Sequence, residues 1–260
     1  MPKTSKKFDY VVSSHEFLTV DLIDRIEEAR KSTEILAIGV ISDELFCEKM
    51  GRPPIRKYEE RAKIISHIRG VDFVFKVRDE DEIEVKKEMF YYDDNVEKQY
   101  HIGYAPGTYD LLHEGHIEHL LEAYRKCEIL VVGINEDDLV EKYKHKRPLM
   151  SAKEREAIVA QLKFVTATYI ADTLERGKAN NWIKEQFGSP IDVVFIGSDW
   201  QGQDLHNEEG LNIEFTFRDP KIMKTRSSSY YREMLKKYSN GENWFNPVEN
   251  LIFWVLHYNF

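Results

Sequence analysis

The chain has 260 residues, long enough for one large domain or two small ones with ample core. A formal net charge of −9 excludes a general nucleic-acid binder, so any basic site must be local. Two cysteines, Cys47 and Cys127, lie too far apart for a metal-binding spacing and predict a reducing, cytoplasmic setting rather than a disulfide framework. Residues 1–7 are polar and basic with no apolar run behind them, so no signal peptide is predicted. No run reaches the length of a membrane span.

In chain order, residues 8–77 align without gaps to residues 102–171. Tyr10 falls on Tyr104, Leu18 on Leu112, Gly39 on Gly133, Asp43 on Asp137 and Pro54 on Pro148. Glu60-Arg61 falls on Glu154-Arg155, and Glu34-Ile35-Leu36 on Glu128-Ile129-Leu130. A constant offset over so many positions predicts an internal duplication of a β-α-β-α-β unit. An acidic stretch, Arg78 to Glu97, separates the copies. The predicted domains are therefore residues 1–97, a smaller degenerate copy, and residues 98–260, the fuller one with a C-terminal helical tail.

The second copy opens with an apolar segment, His101 to Ala105, read as a strand. Gly107-Thr108-Tyr109-Asp110-Leu111-Leu112-His113-Glu114-Gly115-His116 follows, then Ile117, Leu120, Leu121 and Tyr124 at helical spacing. A turn from strand to helix N-terminus presents backbone N–H groups with the positive end of the helix dipole behind them, which suits phosphate. Gly107 permits close backbone approach, Thr108 offers a hydroxyl, and His113 and His116 would point at one bound anion. Asp110 is either a helix-entry cap or a neighbour of a metal.

The stretch from Gly107 to Leu120 resembles the signature G-T-[FY]-D-x-x-H-x-G-H of the cytidylyltransferase group of the nucleotidylyltransferases. The resemblance implies an α/β fold with a Rossmann-like parallel sheet, in tandem with the degenerate copy. It also implies that both histidines stabilise charge on an α-phosphate while a substrate phosphate attacks. A phosphate monoester is already an anionic nucleophile, so positioning and charge stabilisation remain for the protein to supply. In the first copy Thr19-Val20-Asp21-Leu22 replaces His113-Glu114-Gly115-His116, and Ser13-Ser14 replaces Gly107-Thr108. That half is expected to be catalytically silent. Arg69-Gly70-Val71-Asp72-Phe73-Val74 resembles the family's dimer motif R-Y-V-D-E-V, which implies a homo-oligomer or an internal pseudo-dimer.

Glu128 to Ile134 reads as a buried parallel strand. The basic cluster Lys142 to Arg147 is a solvated loop or a phosphate clamp. It resembles the K-x-K loop of glycerol-phosphate cytidylyltransferases, placing Lys144 and Lys146 on phosphates. Ser151-Ala152-Lys153-Glu154 is a capping box. Arg155 then sits in a first helical turn, unfavourably for a cation, and calls for a substrate phosphate, a carboxylate partner or a surface salt bridge.

Further strands are expected at Val165 to Ala171, Ile191 to Gly197 and Leu211 to Phe217, with a helix from about Leu174 to Phe187. Gly197-Ser198-Asp199-Trp200 lies at a strand's carboxyl end, where parallel α/β sheets bind ligands. It resembles the family's G-D-D-W-E-G-K segment, with Asp199 toward the nucleoside and Trp200 either there or in the core. Ser227-Ser228-Ser229 before Tyr230 fits a capped helix start and resembles the family's R-T-x-G-I-S-T-T, where Ser228 and Ser229 would meet phosphate. The R-T-x-G is absent here, leaving Lys224, Arg226 or Arg218 to supply its charge. The tail Trp244 to Phe260 is aromatic and suits packing on the core or another subunit, or an interfacial membrane contact.

The implied reaction is transfer of CMP from CTP to a small phosphorylated alcohol, glycerol phosphate by the loop resemblance, with Mg2+ on the triphosphate. An adenylyltransferase, a nucleotide-binding relative without turnover, and a zinc site at His113, His116 and His119 stay open on these residues.

Overall fold

The computed structural model describes residues 8–78, 96–205, 210–217, 224–238 and 254–257. The chain divides into two units, Met1–Tyr91 with Tyr231–Phe260 and Tyr92–Tyr230. Each has its own sheet. The sequence division at residue 97 assigns everything beyond it to one domain, whereas the contacts group residues from Tyr231 onward with the first half.

In the second unit the elements are β4 (Tyr100–Gly107), α4 (Glu114–Lys126), β5 (Cys127–Asn135), α5 (Asp137–Lys144), α6 (Ala152–Ala160), β6 (Ala167–Ala171), α7 (Gly177–Phe187), β7 (Val193–Gly197) and β8 (Ile213–Thr216). The sheet order is β6-β5-β4-β7-β8, and each adjacent pair is parallel. Numbered from β4, this is the 3-2-1-4-5 order of a Rossmann-like sheet, with the reversal between β4 and β7. Every residue of β7 is buried, as are Leu130 to Asn135 of β5, the pattern of strands covered on both faces. Helix α4 turns Ile117, Leu120, Leu121 and Ala123 inward. A Cβ on Gly133 would lie 2.1 Å from the Tyr104 hydroxyl, so glycine there is required by the phenol crossing from β4.

The predicted strands and helix are present with shifted ends: β6 begins at Ala167, β7 at Val193, β8 at Ile213 and α7 at Gly177. One element was not foreseen. Lys142, Tyr143 and Lys144, assigned to a basic loop, form the last turn of α5, where cations complement the helix C-terminus.

In the first unit the elements are β1 (Phe8–Ser13), α1 (Val20–Ser32), β2 (Ile35–Ile41), α2 (Asp43–Met50), α3 (Tyr58–Ser66) and β3 (Phe73–Val77). The tail, predicted to be helical, instead carries strand β9 (Trp254–His257), an apolar run with the strand-favouring Trp254 and Val255, which adds to the sheet in the order β3-β2-β1-β9, antiparallel to β1. The rest of the aromatic tail lies outside the described residues, as do residues 79–95 of the acidic stretch, and Arg218. Registers match between the units. Phe8 faces Ile35 where Ile102 faces Ile129, and Ala37 faces Phe73 where Val131 faces Ala167. Helices α2 and α5 both end on a left-handed residue, Gly51 and His145. The last helix among the described residues, α8 (Ser228–Tyr238), buries Tyr231, whose hydroxyl donates to Glu60 (2.5 Å) and whose ring lies against Arg56 and Phe17.

Two stability predictions follow from these packings. Gly133→Ala should cost about 1–3 kcal/mol in denaturant unfolding by overpacking against Tyr104, and an unchanged midpoint would contradict the close contact. His15 is fully buried, and burial, aided by Arg61, lowers its pKa to about 3. The unfolded chain takes up that proton near pH 6.5, so folded stability should fall as pH drops from about 6.5 toward 3. His15→Asn, which tolerates the left-handed backbone (φ 48°), should flatten that acid limb in pH-dependent melts.

Candidate nucleotide-transfer site

Strand β4 ends at Gly107, at the reversal point of the sheet, and the chain reaches α4 through a tight loop. Tyr109 and Leu111 in that loop both adopt left-handed φ, 54° and 51°, unusual for residues with side chains. Several contacts hold this conformation. The Tyr109 hydroxyl donates to the Ala105 carbonyl (3.1 Å). A Cβ on Gly107 would meet the Tyr109 ring at 2.7 Å. The Asp110 carboxylate accepts from the Leu149 N–H at both oxygens and from the Met150 N–H, all at 3.1 Å.

Beneath the loop lies Arg155, 1% exposed. Its Nε donates to the Met150 carbonyl (3.0 Å), its Nη1 to the Thr108 carbonyl, and its Nη2 to the Asn135 carbonyl (2.8 Å) and the Asp137 carboxylate (2.6 Å). From sequence, Arg155 calls for a substrate phosphate, a carboxylate partner or a surface salt bridge. The carboxylate is there, Asp137, and the guanidinium faces backbone oxygens. Arg155 thus ties together the ends of β4 and β5 and the turn before α6. Arg61 repeats the arrangement in the first unit, reaching the Arg56 carbonyl (3.0 Å), the Ser14 carbonyl (2.7 Å) and Asp43 (2.8 Å).

His113 is the N-cap residue of α4, and His116 follows within its first turn. Their rings stack at 3.7 Å between centroids with 23° between planes, and both are buried. The Tyr109 ring meets His116 edge-on at 5.1 Å. Beside them the Thr108 hydroxyl lies 3.0 Å from the Tyr143 hydroxyl and accepts from Lys144 Nζ at 2.9 Å. Asn135 Nδ2 donates to the same Tyr143 oxygen (3.1 Å). The β4–α4 loop thus carries the Thr108 hydroxyl, which Lys144 reaches from the end of α5, and leads into the stacked imidazoles at the start of α4; hydroxyl, ammonium and imidazole are groups suited to anionic oxygens.

Ser228, at the start of α8, donates its hydroxyl to the Asp110 carbonyl (2.7 Å), and Ser227 caps Tyr230 N–H (3.2 Å). Arg226 pairs with Glu114, which follows His113 in the helix's first turn. Gly197 is buried at the end of β7 and leads into the short turn Ser198–Trp200. Trp200 is half-buried, with its ring 6.1 Å from that of Tyr143. Lys146, Asp199, Lys224 and Ser229 are exposed.

Three expectations change here. Asp110, read as a helix-entry cap or a neighbour of a metal, has its carboxylate engaged by the Leu149 and Met150 amides. His119 turns away from the pair, with Nδ1 2.5 Å from the Thr216 hydroxyl. Among the described residues no three His, Cys, Asp or Glu side chains converge as a metal-binding group.

Sequence reasoning missed Tyr143, Asn135 and Glu114 as parts of the site. Tyr143 carried no motif signal. Asp137, by contrast, stood in the repeat alignment opposite Asp43, as Arg155 stood opposite Arg61.

A family model described as cytidylyltransferase-like matches residues 104–234. A FAD synthase of Korarchaeum cryptofilum (strain OPF8) is 33% identical over 144 residues, covering 52% of this chain and 92% of that protein. The bifunctional protein HldE of Campylobacter concisus (strain 13826) is 26% identical over 181 residues, 69% of this chain and 34% of that one. HldE of Helicobacter pylori (strain Shi470) is 40% identical over 146 residues, 55% and 29% respectively. The chain thus spans about a third of the length of these HldE relatives. The solved structure of a lipopolysaccharide core biosynthesis protein from Thermoplasma volcanium GSS1 is 24% identical, covers 46% of this chain and 96% of that one, and has a TM-score of 0.36.

Because Arg155 satisfies three backbone carbonyls and one carboxylate, Arg155→Met should lower unfolding stability by about 3–5 kcal/mol. A loss under about 1 kcal/mol by chemical denaturation would show that the buried cation does not hold the loop.

Proposed function

Because the chain belongs to the cytidylyltransferase-like family, whose model matches residues 104–234, we propose that it transfers a nucleoside monophosphate from CTP to a small phosphorylated alcohol. The observation that carries this reading is the stacked His113–His116 pair at the carboxyl end of β4, beside Thr108 and Lys144.

An oxygen of the acceptor phosphate attacks the α-phosphorus of the nucleotide. The bond from that phosphorus to the bridging oxygen breaks, and pyrophosphate leaves with the electron pair. No proton need be removed from a phosphate that is already anionic. His113 and His116 stabilise the charge on the α-phosphate oxygens, while Thr108 and Lys144 hold neighbouring phosphate oxygens in line. Lys146 is assigned to the acceptor phosphate, Asp199 and Gly197 to the nucleoside end, and Ser228, Ser229 and Lys224 to the leaving pyrophosphate. A divalent cation such as Mg2+ is assigned to the triphosphate itself, since the described residues offer it no carboxylate set and Asp110 is engaged.

Glycerol phosphate is the acceptor favoured by the Asp199-Trp200 loop. One observation favours a second reading, transfer of AMP from ATP. A relative matched over 92% of its length is named a FAD synthase, and FAD carries an adenylyl group on a pyrophosphate link. The distinguishing experiment is pyrophosphate release with CTP or ATP against glycerol phosphate, riboflavin phosphate and sugar phosphates, with products read by mass spectrometry.

The first unit is proposed to be a silent copy of the second. The matching strand registers and the shared Arg61 and Arg155 networks support a common origin. Thr19 and Leu22 occupy the places of the two histidines. Glu16, opposite Asp110, pairs with Arg52 (2.6 Å).

Under this reading His116→Ala should lower turnover about 10²–10³-fold while its melting profile stays near that of the parent. Undiminished turnover in a folded variant would remove the imidazole pair from the mechanism.

A further inference from the structure

One ion pair of the second unit lies at the start of α4, beside the two histidines, and takes no part in the reaction as described. Glu114 follows His113 in the first turn of α4, with only 9% of its side chain exposed. Its carboxylate is favourably placed for the helix dipole but largely withdrawn from water, so it calls for a cation. Arg226 supplies that cation, with 36% of its own side chain exposed. Arg226 precedes the serines whose helix start meets the loop, and Ser228 fixes the same segment to the Asp110 carbonyl.

We propose that Glu114 is a stand-in anion. It holds Arg226 in the nucleotide-free protein and yields it to the β- and γ-phosphates when the triphosphate enters. This inference rests on the nucleotidyltransferase reading and deepens it by assigning the polyphosphate cation and its resting partner. A guanidinium binds phosphate oxygens in the same forked manner as a carboxylate, so one group can replace the other without new geometry. Two features make the exchange feasible. Arg226 is partly exposed and so within reach of an entering phosphate, whereas Arg155 is committed to the backbone. Glu114 also keeps the positive end of α4 beside it after Arg226 leaves. The pair therefore competes with the nucleotide: breaking it subtracts from triphosphate affinity and leaves monophosphate affinity untouched.

The test uses the full chain and calorimetric titration with pyrophosphate, CTP, ATP and the two monophosphates. Pyrophosphate makes the result independent of which base is bound. Arg226→Ala should weaken pyrophosphate and triphosphate binding about tenfold or more, with monophosphate binding unchanged. Arg226→Lys should fall between. Glu114→Gln, which removes the competing charge, should bind pyrophosphate more tightly than the parent. A second measurement needs no variant: the Arg226 side-chain Nε–H resonance of the unmodified protein should shift on adding pyrophosphate.

Pyrophosphate affinity unchanged in Arg226→Ala, an equal loss for mono- and triphosphate, or weaker pyrophosphate binding by Glu114→Gln would each overturn the exchange while leaving the transferase reading intact. An unmodified protein that neither binds pyrophosphate nor releases it from any nucleotide would overturn both.

Discussion

A guanidinium buried among carbonyl oxygens is the constraint on which the second unit's site depends. Arg155 cannot be solvated at 1% exposure, so its charge must be met from within. The acceptors are the carbonyls of Thr108, Asn135 and Met150 and the Asp137 carboxylate, at or just beyond the ends of β4 and β5 and just before α6. Once those ends are fixed, the loop between Gly107 and His113 has little freedom. It accepts left-handed conformations at Tyr109 and Leu111 that would be unfavourable in isolation. The backbone then delivers His113 and His116 to one place, with Thr108 beside them.

The first unit shows the same clamp with a different content. Arg61 meets Ser14, Arg56 and Asp43 in the manner of Arg155, and His15 takes the left-handed backbone that Tyr109 takes. Yet the positions that would face an anion hold Thr19 and Leu22. Nearby, Arg56 lies between the rings of Phe17 and Tyr231 at 4.3 and 4.4 Å. A cation enclosed by aromatic faces and paired with Glu60 is a packing solution rather than an open binding surface. The two units thus share the arginine clamp and differ in the side chains that follow it.

Much of this was legible in the sequence. The apolar runs gave the strands, the Ser151 capping box opens α6 where expected, and the spacing of His113 and His116 placed both at one helix start. The fold class was implied by the resemblance of the Gly107–Leu120 stretch to the cytidylyltransferase signature, and the parallel sheet agrees with it. What the sequence obscured was the role of charged groups whose partners lie far along the chain. Arg155 resembled a phosphate ligand because its helix position is unfavourable for a cation, and nothing local reveals that its partners come from residues 108, 135, 137 and 150. The repeat held the missing signal. Arg61 stands opposite Arg155 in a half whose aligned positions hold Thr19 and Leu22 in place of His113 and His116, and there too it binds backbone carbonyls. Asp110 misled for a similar reason, since its amide partners, Leu149 and Met150, lie about forty residues away. Tyr143 was hidden because α5 was not foreseen, and only the helix turns its hydroxyl toward Thr108 and Asn135.

The central claim is that the stacked imidazoles meet the innermost phosphate of a bound nucleotide. It is tested most directly by recording the ring nitrogen resonances of the nine histidines in the full chain during titration with CTP and with ATP. The account predicts that His113 and His116 shift together, saturating with the nucleotide, while His15 and His67 in the first unit hold still. A nucleotide that binds and leaves those two resonances unmoved would contradict it.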